Sequence, residues 1–358
     1  MNITSPVETT PAAAPATQEF SAAAHGLRGV AALMVFFGHI TGGLMLHIYP
    51  ADPGFVNFVS PFVNLGTFGV EIFFVISGYV ISGSVIRYSL ADFFKRRFIR
   101  LYPVFLFFTL LYFAGNMILN IEPSKNNLTT LFKSLFFIDL FFPNKGLSPN
   151  AWTISYEIWF YVFAATLFAA WRAGSRTALA AIAAGFAVFV CVFPIALYFC
   201  AGCLIYYLRS QGKLNLGGWT VPAELAALAV IVPLAALRSI DYKLGDLLYP
   251  SVIALMVGTP LFFATVTSQG SLAARLLSTA PAQFMGTISY SFYLAHPYTY
   301  FALRAAEIKL GLFELPKIAA LPIFYTSMLA LAVFGSWLVH ILLERWPYRW
   351  AFGRSVYR

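Results

Sequence analysis

Charge is scarce in this chain. Only 10% of its 358 residues are Asp, Glu, Lys or Arg, where a water-soluble domain carries about 25%. With 60% apolar residues and a mean hydropathy of +0.77, the composition suits a bilayer as solvent. At ~20 residues per span the chain has no room for a separate soluble domain. Cysteine is scarcer still, at Cys191, Cys200 and Cys203. Cys200 and Cys203 form a C-x-x-C inside the apolar run YFCAGCLIYY. With no accompanying His or Cys ligands, helix packing is the expected role, and no metal is called for. No internal repeat is visible, which argues against transporter folds made of duplicated halves. Residues 1–20 lack a basic n-region and an apolar h-region, which excludes a signal peptide. Rich in Pro, Ala and Thr, they read as a disordered cytoplasmic tail.

What is abundant is apolar helix-forming sequence. Hydrophobic stretches fall near 28–48, 66–86, 102–120, 151–171, 177–193, 195–209, 220–237, 248–267, 283–304 and 318–343. They predict an all-α integral membrane fold, a bundle of about ten transmembrane helices. The fifth and sixth stretches meet at Pro194 as a tight outer hairpin. Segment 128–142, interrupted by Lys133 and Asp139, is short for a span and fits a re-entrant or interfacial helix. The 23 Lys and Arg outnumber the 14 Asp and Glu, and the surplus sits at helix ends. That pattern is the positive-inside bias, with no nucleic acid implied. With both termini cytoplasmic, fifteen basic residues fall inside, among them Lys95, Arg96, Arg97 and Arg100. Eight fall outside: Lys125, Lys133, Lys145, Arg238, Lys243, Arg304, Lys309 and Lys317. The expected location is a bacterial cytoplasmic (inner) membrane, crossed many times, with membrane lipids as the first partner.

Ionisable residues inside spans are costly and mark function. Arg28 and His39 share one helix, eleven positions apart. That offset is three turns plus about 20°, so they share a face roughly 16 Å apart along the axis. Counting from the helix ends places Glu71, Glu157 and His296 within one or two turns of the depth of His39. A neutral imidazole beside a carboxylate is what a general base requires, and a hydroxyl reaching His39 is deprotonated as it attacks a thioester. Interhelical hydrogen bonding or a proton relay would use the same residue types. In DFFKRRFIRLYPVF, Arg96 and Arg100 are four apart and Arg97 and Arg100 three apart. Planar guanidinium groups of this kind grip phosphates with paired hydrogen bonds, although anchoring to anionic lipid is the plainer use of such a cluster. Tyr290, Tyr293, Tyr298 and Tyr300 surround His296 and are expected mostly as interfacial belt residues. Glu344 is expected to pair with Arg345, Arg349 or a neighbouring loop.

Six segments, in order, resemble the acyltransferase family 3 membrane enzymes. HGLRGVAALMVFFGHI (25–40) is similar to that family's first-helix signature, an Arg and a His separated by ten residues. GVEIFFVISGYVIS (69–82), RRFIRLYP (96–103), AWTISYEIWFYVF (151–163), GTISYSFYLAHPYTYF (286–301) and LERWPYR (343–349) resemble its later motifs. Glu71 replaces the more usual Asp, and Trp346 separates Arg345 from Pro347. The resemblance implies one transmembrane acyltransferase domain over residues 21–350 and a cytoplasmic tail over 351–358. It further implies O-acylation, commonly acetylation, of polysaccharide, O-antigen, Nod-factor, peptidoglycan or macrolide hydroxyls from cytosolic acyl-CoA.

Carried onto this sequence, Arg28 and His39 match the pair on which the family depends, Glu157 its acidic residue, and Arg96, Arg97 and Arg100 its basic motif. The chemistry then expected has acetyl-CoA or another acyl-CoA held at the cytoplasmic mouth by the three arginines, its arm passing Arg28 to His39. A glycan or lipid-linked sugar hydroxyl enters from outside and loses its proton to His39, which Glu157 orients. Ser77, Tyr156, Tyr293 and His296 are candidates for steadying the oxyanion, with Glu71 a further candidate near the acceptor. A proton-coupled glycan or small-molecule transporter or flippase is the alternative.

Overall fold

The computed structural model describes residues 21–142, 146–148 and 150–353. The tail at 1–20, Lys145, which was expected on the outer side, and residues 354–358 of the expected C-terminal tail lie outside the described residues. Among those described, every regular element is helical: α1 (Ala22–His47), α2 (Pro53–Thr67), α3 (Gly69–Arg87), α4 (Leu90–Leu119), α5 (Leu128–Leu135), α6 (Ala151–Arg172), α7 (Arg176–Val192), α8 (Leu197–Ser210), α9 (Thr220–Leu237), α10 (Pro250–Val266), α11 (Leu272–Leu277), α12 (Ala280–Lys309), α13 (Lys317–Val339) and α14 (Trp346–Phe352). A π-helical stretch, His340–Arg345, joins α13 to α14. The boundaries follow local chemistry. Ser21, Asp52, Ser89, Asn127, Ser175 and Ser271 each accept an orphan backbone N–H of the helix they precede.

Each of the ten expected stretches is helical. Among the described residues, six helices are long and apolar enough to cross a membrane, or seven if α7 and α8, bent by 117°, form one span. The six are α1, α2 running into α3, α4, α6, α9 with its preceding turn, and α13 running through α14. Two others fall short of that test for physical reasons. Helix α10 has 17 residues, and the 30-residue α12 carries Ser289, Tyr290, Ser291, Tyr293 and His296, all buried. A helix wrapped by other helices needs no apolar surface of its own. Segment 128–142 is not a span but α5 and a 3-10 turn at Asp139–Phe141. Asp139 pins it to α6 by accepting the Ser155 hydroxyl at 2.8 Å.

Helix α1 is the hub, packing against α2, α3, α11 and α12, while α3 packs on α8, α9 on α10 and α12 on α13. Small residues permit these approaches. A Cβ on Gly29 would lie 2.6 Å from the Gly286 amide nitrogen of α12, and one on Gly66 would lie 2.5 Å from the Gly38 Cα. Between α3 and α8 a Cβ on Gly78 or Gly202 would collide with the facing backbone carbonyl of Phe199 or Val75. The three cysteines are free thiols, and Cys203 donates to the Gly78 carbonyl at 3.3 Å. The C-x-x-C therefore belongs to this crossing, as its setting in an apolar helix implied.

Candidate active site

A narrow internal cavity of about 30 Å³ opens between α1, α3, α6 and α12, with Arg28, Ser77, Glu157, Tyr290 and Tyr293 among its walls. That is room for a water or two, so an acyl chain enters only if the helices part. Glu157 lies one turn above Tyr161 on α6 and accepts the Tyr161 hydroxyl on the same oxygen that accepts Ser77 Oγ at 2.7 Å. Arg28 supplies the compensating positive charge from α1. Tyr293 is held from α6, where Thr153 donates to its hydroxyl at 2.9 Å. Its main-chain carbonyl is freed from the helix ladder because Pro297 has no N–H to offer four residues later, and Asn150 Nδ2 takes it at 2.7 Å.

His39 is found elsewhere from the expectation. Its Nδ1 lies 2.9 Å from Nε2 of His296, with the ring planes inclined at 26° and 5.1 Å between centroids. Glu157 is thus not the group that orients it; the carboxylate is engaged by Ser77 and Tyr161 instead. His296 is wholly buried, whereas His39 is exposed although protein surrounds it. Tyr293 connects the two centres, lining the cavity and approaching the His296 ring edge-on at 6.1 Å.

The remaining expected residues separate. Glu71, at 7% exposure, belongs to a buried group with Tyr242 and Tyr198, whose hydroxyls are 3.0 Å apart; it does not line the cavity. Four groups at one depth therefore resolve into three sites, because depth says nothing of helix rotation. Tyr156 points into an aromatic pack with Phe74, Trp152, Phe189 and Phe193 and is absent from the cavity wall. Tyr290 and Tyr293 are interior, not belt residues, and the Tyr290 hydroxyl donates to the Leu101 carbonyl at 2.7 Å.

The three arginines of α4 fan apart. Arg96 is sandwiched between the rings of Tyr88 and Phe352, each 4.5 Å from its guanidinium carbon. Arg97 donates to Ser84 Oγ at 2.7 Å and lies over Tyr161. Arg100 lies 3.7 Å from Glu344. Arg97 and Arg100 thereby join the basic motif to the cavity through Tyr161 and to the π-helical stretch through Glu344. Glu344 is buried and bonded to His340 and Ser291 at 2.9 and 3.1 Å, so with Arg100 it ties α12 and α4 to the π-helical stretch. Tyr161 and His340 escaped notice in the sequence, although each stands four residues from its carboxylate, the spacing that brings side chains together on a helix. Among the described residues no group of three His, Cys, Asp or Glu is placed to hold a metal ion.

The family model described as "Acyltransferase domain" matches residues 22–341. The chain is 28% identical to the exopolysaccharide production protein ExoZ of Rhizobium meliloti, over 70% of this chain and 81% of that one. It is 25% identical to the acyltransferase MdmB of Streptomyces mycarofaciens, over 89% of each. No solved structure matches it.

Proposed function

This chain belongs to the acyltransferase domain family, and from that premise we propose that it is a membrane O-acyltransferase with His39 as general base. The acyl group, acetyl in the simplest case, comes from cytosolic acyl-CoA and goes to a hydroxyl of an exported or cell-surface glycan. Similarity to an exopolysaccharide production protein and to an acyltransferase supports the substrate class. The observation that carries the chemistry is the accessible imidazole of His39, paired with His296 at 2.9 Å and linked through Tyr293 to the cavity that Arg28 and Glu157 line.

His39 takes the hydroxyl proton as the oxygen attacks the thioester carbon. The tetrahedral adduct collapses with rupture of the C–S bond, and the CoA thiolate recovers the proton from the imidazolium, so the reaction is proton-neutral overall. Arg28 and the hydroxyl of Tyr293, which accepts from Thr153 and keeps its own hydrogen, are the polar groups available to developing negative charge. The guanidinium groups of Arg97 and Arg100 suit the CoA phosphates at the cytoplasmic end, and Arg96, stacked between two rings, packs the C-terminal helix.

In the same reading α10 and α12 also cross the bacterial inner membrane and α7 and α8 cross separately. That makes ten spans with both termini cytoplasmic, in line with the placement of basic residues. The test is transfer of label from radioactive acetyl-CoA to deacylated surface polysaccharide by the purified protein in lipid nanodiscs. Label on the polysaccharide supports the reading, and glycan movement that requires no thioester refutes it.

A further inference from the structure

We propose that His296 is a positioning residue that selects the reactive nitrogen of His39; the inference rests on His39 being the base. The assignment follows from counting hydrogens. His296 Nδ1 lies 3.0 Å from the main-chain carbonyl oxygen of Phe292. A carbonyl can only accept, so this Nδ1 carries the hydrogen, and in a neutral imidazole the other nitrogen is then bare. The bare Nε2 of His296 faces Nδ1 of His39 at 2.9 Å, so Nδ1 of His39 is the donor. The hydrogen bonds run in one direction, from His39 to His296 to the Phe292 carbonyl. They leave Nε2 of His39 without a hydrogen, as the lone pair available to an acceptor hydroxyl.

The chain serves both states of the base. When Nε2 of His39 takes a proton, Nδ1–H is already donating to His296, so the imidazolium forms without ring rotation or a new contact. In familiar triads a carboxylate does this work; here a second imidazole anchored to a carbonyl does it. His296 is itself held still: it is wholly buried, stacked on Phe292 at 5.9 Å and met edge-on by Phe36 at 5.9 Å. Glu157 is already engaged by Ser77 and Tyr161 and has no part in the chain.

The test uses the full-length protein in nanodiscs with acetyl-CoA as donor and deacylated surface polysaccharide as acceptor. In His296→Leu, Nδ1–H of His39 loses its acceptor and the ring populates both tautomers; kcat falls roughly 10²–10³-fold with KM for acetyl-CoA unchanged. In His296→Gln the amide oxygen accepts from His39, and kcat recovers to within about tenfold of wild type. Nitrogen-15 spectra of histidine-labelled wild-type protein show Nε2 of His39 as unprotonated, and this readout requires neither turnover nor a stable variant. Wild-type kcat in folded His296→Leu, Gln as defective as Leu, or a protonated Nε2 on resting His39 each overturns the proposal. Failure of the underlying reading looks different: wild type transfers no label, or His39→Ala transfers it normally.

Discussion

The buried Glu344 makes a test that joins stability to function. Its carboxylate is 1% exposed and faces Arg100 at 3.7 Å, with Arg100 itself 31% exposed. At that separation the Coulomb attraction is about 4 kcal/mol for an effective dielectric of about 20, and the exposure of Arg100 reduces it to about 2 kcal/mol. Replacing Glu344 by Gln keeps the shape and the acceptor for Ser291 but removes the charge, so it should destabilise by about 2 kcal/mol. Glu344→Ala leaves Arg100 and His340 facing a void and should cost about 3–5 kcal/mol. The double variant Arg100→Leu, Glu344→Leu should be more stable than either single change predicts by addition, since no lone charge is left behind. SDS- or heat-unfolding midpoints of wild type, Arg100→Leu, Glu344→Leu and the double variant in one detergent measure the cycle. Because Glu344 also aims Arg100, Glu344→Gln should raise the KM for acetyl-CoA about tenfold, equivalent to about 1.4 kcal/mol. Additive midpoints together with an unchanged KM would show that the ion pair neither stabilises nor positions anything.

Gly78→Val should abolish folded protein, as judged by monodisperse elution in detergent, because its Cβ collides with the Phe199 backbone carbonyl of α8; Gly115→Val, with nothing within 4 Å, should be tolerated. Between α1 and α2, the Lys317 ammonium holds the Asp52 carboxyl below its ordinary value. A lowered folded value makes the contribution present above the unfolded pKa of about 3.9 and lost as pH falls through the folded one. Thermal stability relative to Asp52→Asn should therefore be flat from neutral pH to about 5 and converge only below about pH 4. Glu157→Gln should lower kcat while leaving the nitrogen-15 signature of His39 unchanged, since the two side chains have different partners; altered His39 signals would restore Glu157 as its orienting group.

The helices were largely legible, because each is an apolar run ended by Gly, Pro, Asn or charge. Two departures are instructive. The expected stretch 66–86 is α3, and α2 before it (Pro53–Thr67) was missed because Asn57, Ser60, Pro61 and Asn64 interrupt its apolar face. Helix α4 begins at Leu90, twelve residues before the expected 102, because its first turns carry Asp92, Lys95, Arg96, Arg97 and Arg100. The shared face of Arg28 and His39 followed from helical geometry. Which residue meets His39 did not follow, because depth can be counted along a sequence while rotation about the helix axis is set by neighbours. The α1–α12 backbone contact at Gly29–Gly286 sets that register, with His39 and His296 each ten residues further on, while Ser77 and Tyr161 take Glu157. Tyr290 and Tyr293 were misread for the same reason, aromatic residues being equally at home in a membrane interface and in a polar interior.

The most direct test of the account compares wild type, His39→Ala and His39→Gln for label transfer from acetyl-CoA to polysaccharide, with folding checked by elution and unfolding midpoint. Transfer at wild-type level by well-folded His39→Ala would contradict it. The account predicts that both variants fold, still bind acetyl-CoA, and lose at least ~10²-fold in kcat.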